Sequence, residues 1–325
     1  MALGYEVIER RKLPSTAWND YVDAHPQAWF WHREEWLNYS LDYTKHSIDK
    51  SFAVLRNGDV VGICPAITCG VEIRMGDDAC IGPLASSPEA TCEVIDAIRS
   101  RLTNYIANWR WNRGRGEVIT GPLLSLSTER WVYLSRWLTS VVPLNVGEKE
   151  RWRGVRKSYR SLINQSKVRH QIVRKDMWDD YKTCHQQCAT RPRSNNTYDH
   201  QHDWFRRKLA HVYCVYGEHD KSHPASVMVT SARGGSGSSD CSSQSLSTLS
   251  AAYVITYKNR AYYASGPSLV KNTQHRLQWE VIQDLSSLNV HDYELGWISD
   301  DGVGFFKSGW GHETEVIENV SGQVN

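Results

Sequence analysis

The feature that most constrains the fold of this 325-residue chain is a repeated order of predicted elements. Each half runs through a hairpin, a further strand, a long helix and a strand that ends in glycine, at Gly121 and Gly296. The residues of the two halves hardly match, so the repeat lies in the order of elements. It predicts two similar domains, residues 1–145 and 146–325, that face each other across a cleft, and it allows the extreme C-terminus to pack back on the first domain.

Local signals in both halves support this order. Asn57-Gly58 separates the apolar runs 51–56 and 60–66, and this dipeptide is typical of a two-residue type I′ hairpin turn. Apolar residues recur at helical spacing from Pro88 to Trp109 and predict one long amphipathic helix. Helices beside mostly antiparallel strands indicate an α+β fold. Further predicted elements are a strand at 117–121, helices at 128–138 and 272–285, hairpins at 211–216 with 225–229 and at 250–257 with 260–264, and a strand at 290–297.

Composition excludes several functional classes. A net charge of +2 is too balanced for a general polyanion binder, so any contact with nucleic acid would be local. The eight cysteines include no Cys-x-x-Cys pair, and Cys184 and Cys188 have no evident second pair, so we predict no metal site. Unpaired cysteines, an N-terminus without a signal pattern and the lack of any apolar run of about 18 residues predict a cytoplasmic protein without a membrane span.

Aromatic residues concentrate in the segment Trp29–Tyr39, which is predicted to form a helix with Trp29, Trp31 and Trp36 around it. The chain holds 14 Trp and 16 Tyr, more than packing commonly demands. Such a helix is either a hydrophobic anchor in a core or one wall of an aromatic cleft, and the sequence leaves both interpretations open.

Residues 153–169 are predicted to form one strongly basic helix. Arg153, Arg156, Lys157 and Arg160 are spaced i, i+3, i+4 and i+7, which would place them on one face. Such a face is either simply solvated or a surface on which arginine side chains bind phosphate oxygens. We treat these two interpretations as equally open.

Residues 304–311 read Gly-Phe-Phe-Lys-Ser-Gly-Trp-Gly and set Lys307 among aromatic and glycine neighbours. The segment follows the predicted strand 290–297 and a polar turn. One interpretation is a surface lysine on a glycine-rich connection. The other is a cation held in a water-poor aromatic setting, where it can stabilise charge that develops on a substrate.

Three blocks of the second half are informative when taken in order. They are 155–163 (Val-Arg-Lys-Ser-Tyr-Arg-Ser-Leu-Ile), 261–266 (Ala-Tyr-Tyr-Ala-Ser-Gly) with the helix through 279–282, and 293–296 (Tyr-Glu-Leu-Gly) with 306–311 (Phe-Lys-Ser-Gly-Trp-Gly). In this order and spacing the blocks resemble the Fem-type aminoacyltransferases, double-GNAT proteins that move an amino acid from aminoacyl-tRNA to an amine. The related CelD-like acyltransferases share the same core. The resemblance covers most of residues 153–313, whereas residues 1–140 match in general layout only.

The resemblance implies two tandem GNAT-like domains and a role for each matched residue. Lys307 would be the catalytic residue that stabilises the oxyanion, and Phe306 would pack near the terminal adenosine of tRNA. Arg153, Arg156, Lys157 and Arg160 would bind tRNA phosphates. No resident cofactor is implied, because the acyl donor is a co-substrate. The other expected substrate-binding residues are Trp310, Tyr263, Arg191, Arg206 and Trp36.

Two departures from the family pattern bear on the acceptor. Family members that act on a nucleotide-linked cell-wall precursor hold its diphosphate with a lysine just after the tryptophan-rich helix. In this chain no lysine follows that helix until Lys45, which argues against the same acceptor. The serine-rich loop 231–247 is the second departure, and its role is open.

Two other functions compete with the family reading. An ordinary GNAT enzyme holds the CoA pyrophosphate with a glycine-rich turn that opens a helix, and at that position the chain reads Ser265-Gly266-Pro267-Ser268. Loss of this turn fits a tRNA donor, with a small-molecule, peptide or cell-wall amine as acceptor. An acyl-CoA- or carrier-protein-dependent N-acyltransferase of polysaccharide or small-molecule biosynthesis stays open. A non-catalytic binding module that holds a peptide or sugar would leave Lys307 dispensable. The oligomeric state, the acyl group and the acceptor are not readable from the sequence.

Overall fold

The computed structural model describes residues 4–14, 16–76, 81–103, 105–112, 133–169, 171–188, 193–217, 246–298, 302–310 and 313–323. The chain divides into two compact units. The first comprises residues 1–139 together with 315–325, and the second comprises residues 140–314. The division falls a few residues before the predicted point at 145/146, within a strand that runs as far as Pro143.

The first unit contains a four-stranded sheet in the order β1-β3-β4-β7 and a second set of strands in the order β15-β8-β6-β5-β2. Buried apolar side chains of helix α3, including Val94 and Ile98, form part of its core. The strands are β1 (Tyr5–Glu9), β2 (Ile48–Asp49), β3 (Phe52–Arg56), β4 (Asp59–Cys64), β5 (Ile67–Cys69), β6 (Glu72–Arg74), β7 (Leu84–Ala85), β8 (Ile106–Asn112) and β15 (Glu313–Gln323), and the helices are α1 (Ala17–Ala24), α2 (Glu34–Tyr43) and α3 (Pro88–Arg101).

The predicted hairpin of the first unit is confirmed. Strands β3 and β4 are antiparallel, and Arg56 pairs with Asp59 across the turn. Asn57 and Gly58 have φ angles of 56° and 91°, the left-handed values that a type I′ turn requires at both central positions. The dipeptide therefore predicted the position of this turn, while the register of β3 and β4 shifts between Val54 and Leu55.

Three helices predicted in the first half are wrong in part. The predicted helix Trp29–Tyr39 is α-helical only from Glu34, since a short 3-10 helix at Phe30–His32 precedes α2. Helix α3 ends at Arg101, and residues 106–109 lie in strand β8, which pairs with β15 from Ile106 to Asn112. Their helical spacing was misleading because a strand pairing made far along the chain overrides local periodicity. Residues 133–138, predicted as helix, lie in strand β9 (Tyr133–Pro143). Residues 113–132, including the predicted strand at 117–121, lie outside the described part of the chain.

The second unit is built on a sheet in the order β10-β11-β12-β13-β14-β9. Helix α8 packs on it through Leu277, Val281, Ile282 and Leu285, which form one core with apolar side chains of the strands. The strands are β10 (Ile172–Lys175), β11 (Ala210–Gly217), β12 (Ser247–Tyr257), β13 (Arg260–Ser265) and β14 (Asp292–Trp297), and the helices are α4 (Glu148–Gly154), α5 (Lys157–Val168), α6 (Trp178–Cys188), α7 (Asn195–Arg206), α8 (Thr273–Ser287) and α9 (Gly302–Lys307).

The strand pairing confirms an α+β fold with mostly antiparallel sheets flanked by helices. The predicted hairpin of β12 and β13 is present, with Lys258 at a φ of 53° in its turn. Strand β11 pairs with β12 and β10, and its predicted partner at 225–229 lies outside the described residues. Strands β13 and β14 run parallel, which requires the crossover that helix α8 provides. No helix in the described ranges is long and apolar enough to cross a membrane.

Candidate active site

Lys307 is the last residue of α9, a short helix and not the open connection that residue types suggested. The turn after the helix is held by backbone hydrogen bonds, from Ser308 N to the Gly304 carbonyl at 2.9 Å and from Trp310 N to the Lys307 carbonyl at 3.3 Å. Ser140 donates its hydroxyl to the same Lys307 carbonyl at 3.0 Å. The backbone of Lys307 is therefore fixed from two directions.

The side chain of Lys307 is half-buried and reaches the end of strand β14. Its Nζ donates to the Trp297 carbonyl at 3.1 Å. Gly296, with a φ of 79°, lies directly beside it: a Cβ at this position would be 3.5 Å from Lys307 Nζ and 3.1 Å from Tyr262 Oη. A phenol hydroxyl and an ammonium group thus converge over a residue that carries no side chain.

The alternation of strand residues explains this convergence. Tyr293 and Leu295 point into the core beneath α8, and the Tyr293 hydroxyl donates to Gln278 Oε1 at 2.8 Å. Glu294 and Gly296 therefore lie on the opposite face of β14. Tyr262 is the register partner of Glu294 on the parallel strand β13, which places it on the face that Lys307 approaches. Glu294 is 9% exposed, so a carboxyl group is buried on the same face.

Behind Lys307 lie four aromatic rings that all contact one another, which we name the four-ring cluster. The six pairs have centroid separations from 4.3 to 6.2 Å. Burial lowers the pKa of the imidazole in this cluster, which therefore stays neutral and lies 3.2 Å through Nδ1 from the Asn272 carbonyl. The members are Tyr159, His275, Phe306 and Trp310.

Phe306 and Trp310 differ in what they offer a ligand. Trp310 is 1% exposed and belongs to the core of the second unit. Phe306 is half-buried and packs against that core. Both were predicted to bind substrate, and this prediction stays open for Phe306, whose ring retains an accessible part. Trp310 can act on a ligand only through the rings it supports.

The basic segment is not one helix. Helix α4 ends at Gly154, Val155 is extended with its N–H bonded to the Arg151 carbonyl, and α5 begins at Lys157. The prediction of a continuous helix with a shared basic face is therefore wrong, because the glycine and the extended residues after it break the helical register. Arg153 and Lys157 are exposed and Arg160 is half-buried.

Arg156 lies in the break between these helices, and its contacts are with α9. Its Nη1 donates to the Phe305 carbonyl at 3.2 Å and its Nη2 to Ser308 Oγ at 3.1 Å. The guanidinium carbon lies 3.9 Å from the centroid of the Phe305 ring. The Arg156 backbone N–H also donates to the Gly309 carbonyl at 3.0 Å. Both Nη atoms of Arg156, a residue expected to bind phosphate, thus donate to groups within the protein.

The remaining described candidate residues each have neighbours of their own. Tyr263 points to the face opposite Tyr262, where burial raises the pKa of its phenol and its ring fills the space beside Gly266. Arg206 is exposed in the last turn of α7 and pairs with Asp203 at 3.3 Å. Trp36 is 8% exposed and packs on Trp31 in the first unit. Arg191 and most of the serine-rich loop lie outside the described residues.

Tyr262 and Arg156 are neighbours of α9 and Lys307 whose contacts there the residue types did not predict. The sequence contained a signal for Tyr262. Once β13 and β14 are paired in parallel, their strand patterns place Tyr262 opposite Glu294. For Arg156 none existed, since its contacts join residues about 150 positions apart. Within the described ranges, no group of three or more His, Cys, Asp or Glu side chains is arranged to hold a metal ion.

Comparison with known proteins establishes the fold. No protein-family model and no curated protein sequence matches the chain. The crystal structure of FemX is similar, with a TM-score of 0.66 and 14% identity over 97% of this chain and 96% of FemX. The C-terminal domain of a putative lysylphosphatidylglycerol synthetase from Agrobacterium fabrum has a TM-score of 0.55, with 9% identity over 95% of this chain and 91% of that one.

A tandem GNAT protein from the clavulanic acid biosynthesis pathway is also similar. It has a TM-score of 0.51 and 10% identity, over 98% of both chains. Similarity over nearly the whole length to FemX and to a tandem GNAT protein confirms the Fem-like double-GNAT fold that the three sequence blocks predicted. Sequence identities of 9–14% establish similarity of fold only.

Proposed function

We propose that this chain, which has the fold of FemX, is an acyltransferase that moves an aminoacyl group from aminoacyl-tRNA to an amine and so forms an amide bond. The observation that carries the proposal is the position of Lys307. Its Nζ lies at the end of β14 beside Gly296 and Tyr262, backed by the four-ring cluster. The family resemblance assigns the catalytic role to the same residue.

The reaction breaks one ester bond and forms one amide bond. The acceptor amine attacks the carbonyl carbon of the aminoacyl ester, and the carbonyl oxygen becomes an oxyanion. Collapse of this intermediate releases the ribose oxygen of the tRNA. The amine loses one proton to solvent and the ribose oxygen gains one, which Lys307 is placed to donate. No resident cofactor enters these steps.

Lys307 supplies electrostatic stabilisation of the oxyanion. Its hydrogen bond to the Trp297 carbonyl, at 3.1 Å, fixes the direction of the ammonium group. A fixed cation with buried aromatic rings behind it stabilises developing negative charge more than mobile water does. Removing one such donor typically lowers turnover roughly 100- to 1,000-fold.

Exposed basic side chains of the same unit suit the tRNA donor. Arg153 and Lys157 project into solvent beside the helix break, and Arg160 follows one turn later. These side chains would contact phosphates, and the break between α4 and α5 distributes them over two helices. Aminoacyl-tRNA is a cytoplasmic substrate, so the proposal includes a cytoplasmic location.

Turnover of Lys307→Ala tests the mechanism. The protein is incubated with a charged tRNA pool and a panel of amines, and amide products are quantified by mass spectrometry. We expect a roughly 100- to 1,000-fold loss of turnover with unchanged thermal unfolding. Lys271→Ala, which removes an exposed lysine before α8, is the matched control. Near-wild-type turnover of Lys307→Ala would contradict the catalytic role.

The donor is tested by treating the tRNA pool with RNase before the assay. We expect product formation to disappear after RNase treatment and to be absent with acyl-CoA in place of charged tRNA. Activity that survives RNase, or that appears with acyl-CoA, would assign an acyl-CoA or carrier-protein donor instead. Lack of turnover with every donor, together with measurable binding of an acceptor, would indicate a binding module.

A further inference from the structure

The turn that carries Lys307 is held by residues from the start of helix α5. Arg156 donates to the Phe305 carbonyl and to Ser308 Oγ, which lie on either side of Phe306-Lys307 in the chain. The Tyr159 hydroxyl donates to the same Phe305 carbonyl at 3.1 Å. These two residues are also joined to each other, with Arg156 Nη1 3.2 Å from Tyr159 Oη.

We propose that Arg156 is a positioning residue that fixes the end of α9 and thereby sets the location of Lys307 Nζ. The proposal rests on the proposed function, because it assumes that Lys307 acts on the substrate. It replaces the expectation that Arg156 serves mainly as a phosphate ligand. The backbone bond from Arg156 N to the Gly309 carbonyl at 3.0 Å adds a second attachment at the same point.

The contacts require the planar fork of an arginine. Two different nitrogens of Arg156 reach two different acceptors, and the plane of the guanidinium stacks on the Phe305 ring at 3.9 Å. A lysine carries the same charge as a compact point and cannot bridge both acceptors while stacking on the ring. Phe305 is 61% exposed, so the arginine also covers part of an aromatic ring that would otherwise face water.

Close packing leaves α9 little alternative position. A Cβ at Gly309 would come within 2.1 Å of the Tyr159 ring, so the chain passes directly against this ring. Ser140 Oγ holds the Lys307 carbonyl at 3.0 Å from the other side. Without its guanidinium, Arg156 no longer bonds Ser308 Oγ or packs on the Phe305 ring, while the contacts of Tyr159, Ser140 and the Arg156 backbone persist. This partial loss predicts a displaced Lys307 side chain in a folded protein.

The test compares Arg156→Lys and Arg156→Gln with wild type, and uses Lys167→Gln as a control that removes an exposed charge from α5, the helix that follows Arg156. A positioning role predicts that both Arg156 variants lower kcat about 10- to 100-fold with KM nearly unchanged, as for a misplaced catalytic group. The lysine variant would not rescue activity. A phosphate ligand predicts the opposite pattern: a raised KM, a strong dependence on salt, and rescue by lysine.

A second measurement does not depend on turnover. Wild type and variants are treated with an amine-reactive reagent over a range of pH, and labelling of Lys307 is quantified by mass spectrometry against Lys271 in the same sample. We expect labelling of Lys307 to rise several-fold in both Arg156 variants, and labelling of Lys271 to stay constant. Unchanged labelling of Lys307 in both variants would overturn the proposal.

The two measurements separate failure of this proposal from failure of the proposed function. If wild type transfers no acyl group, the proposed function fails, and labelling alone still decides whether Arg156 positions Lys307. Thermal unfolding identifies any variant that does not fold. In that event Ser308→Ala takes the place of the unfolded variant, because it removes one acceptor of Arg156 and leaves the Phe305 carbonyl as the other. A rise in Lys307 labelling, smaller than that expected for Arg156→Lys, supports the proposal. No rise overturns it.

Discussion

The two units each contain a dense group of aromatic residues, and the two groups differ in the charged side chains beside them. In the first unit Trp29, Phe30, Trp31, Trp36 and Tyr39 form a tryptophan-rich cluster, in which the Trp31 ring lies 4.2 Å from Trp36 and 5.6 Å from Phe30. In the second unit every ring of the four-ring cluster contacts the other three. Burial alone does not separate them, since nearly all of these rings are less than a tenth exposed.

The charges beside the two clusters differ more than the rings do. Next to the tryptophan-rich cluster, Arg33 pairs with Glu35 at 3.0 Å and with Asp23. Arg10, which binds α2, pairs with Asp49 at 2.6 Å. Beside the four-ring cluster, Arg156 and Lys307 donate to the backbone carbonyls of α9 and β14.

This difference indicates what to seek in an aromatic region. A carboxylate neutralises the arginine it pairs with, so the ion pairs of the first unit stabilise a packed structure. A carbonyl oxygen orients a cation and brings no charge of its own, so this contact serves to position the ammonium group. Aromatic density marked both regions in the sequence, but only the four-ring cluster has a lysine held by a carbonyl at its edge.

The largest expected effect compares Trp310→Ala with Trp31→Ala. Both indoles are 1% exposed, so we expect each change to lower the free energy of unfolding by about 3–5 kcal/mol. Equilibrium unfolding in urea, followed by far-ultraviolet circular dichroism, measures both. If Trp310→Ala cost less than about 1 kcal/mol and mainly weakened substrate binding, Trp310 would be a binding wall, as the sequence predicted, and the two clusters would differ in kind.

The sequence predicted the fold class and the main elements of the second unit because those signals are local. Turn chemistry located the hairpins at Asn57 and Lys258, and apolar spacing located α8. Prediction failed where distant pairing decides, as in strand β8, which β15 completes from the far end of the chain. The similarity to FemX agrees with the order of the three sequence blocks.

The candidate site was predicted at Lys307 and only in part around it. Choosing between Tyr262 and Tyr263 requires the register of β13 against β14, because adjacent strand residues face opposite ways. The role of Arg156 depends on where α4 ends, and a two-residue break moved it off the predicted helical face. Spacing rules apply within one helix, and here the helix does not continue.

A smaller effect is expected for Gly296→Ala, with Gly58→Ala as the matched change in the first unit. Both glycines have positive φ angles, so each alanine is strained by about 1–3 kcal/mol. Only at Gly296 would the new Cβ meet Tyr262 Oη and Lys307 Nζ, at 3.1 and 3.5 Å, whereas at Gly58 nothing lies within 4 Å.

Turnover and Lys307 labelling separate these two glycine variants. We expect Gly296→Ala to lower acyl transfer roughly tenfold or more and to change labelling of Lys307, because the methyl group displaces the amine. Gly58→Ala should lose a similar stability and keep wild-type turnover per folded molecule. Equal activity in the two variants would mean that the space over Gly296 is not used by the reaction.

The smallest effect concerns the imidazole of the four-ring cluster. Burial among Tyr159, Phe306 and Trp310 lowers the pKa of His275, and the Asn272 carbonyl opposes this shift only in part. Below the ordinary histidine pKa of about 6.5 the unfolded chain binds a proton that the folded chain does not. The stability that His275 contributes as a neutral group is therefore present above that pH and is lost as the pH falls through the folded pKa.

Urea unfolding of wild type and His275→Gln, measured from pH 7.5 down to pH 4.5, tests this prediction. Burial also lowers the pKa of His185, to about 4, and that of His211, so wild type loses stability through all three groups. The variant keeps an amide that can donate to the Asn272 carbonyl, and we expect its stability to fall less steeply with acid than that of wild type. Parallel curves would show that His275 binds its proton equally in the folded and unfolded chains, which contradicts a lowered pKa. Below the ordinary histidine pKa the four-ring cluster would then hold a cation, in contrast to the uncharged rings of the first unit.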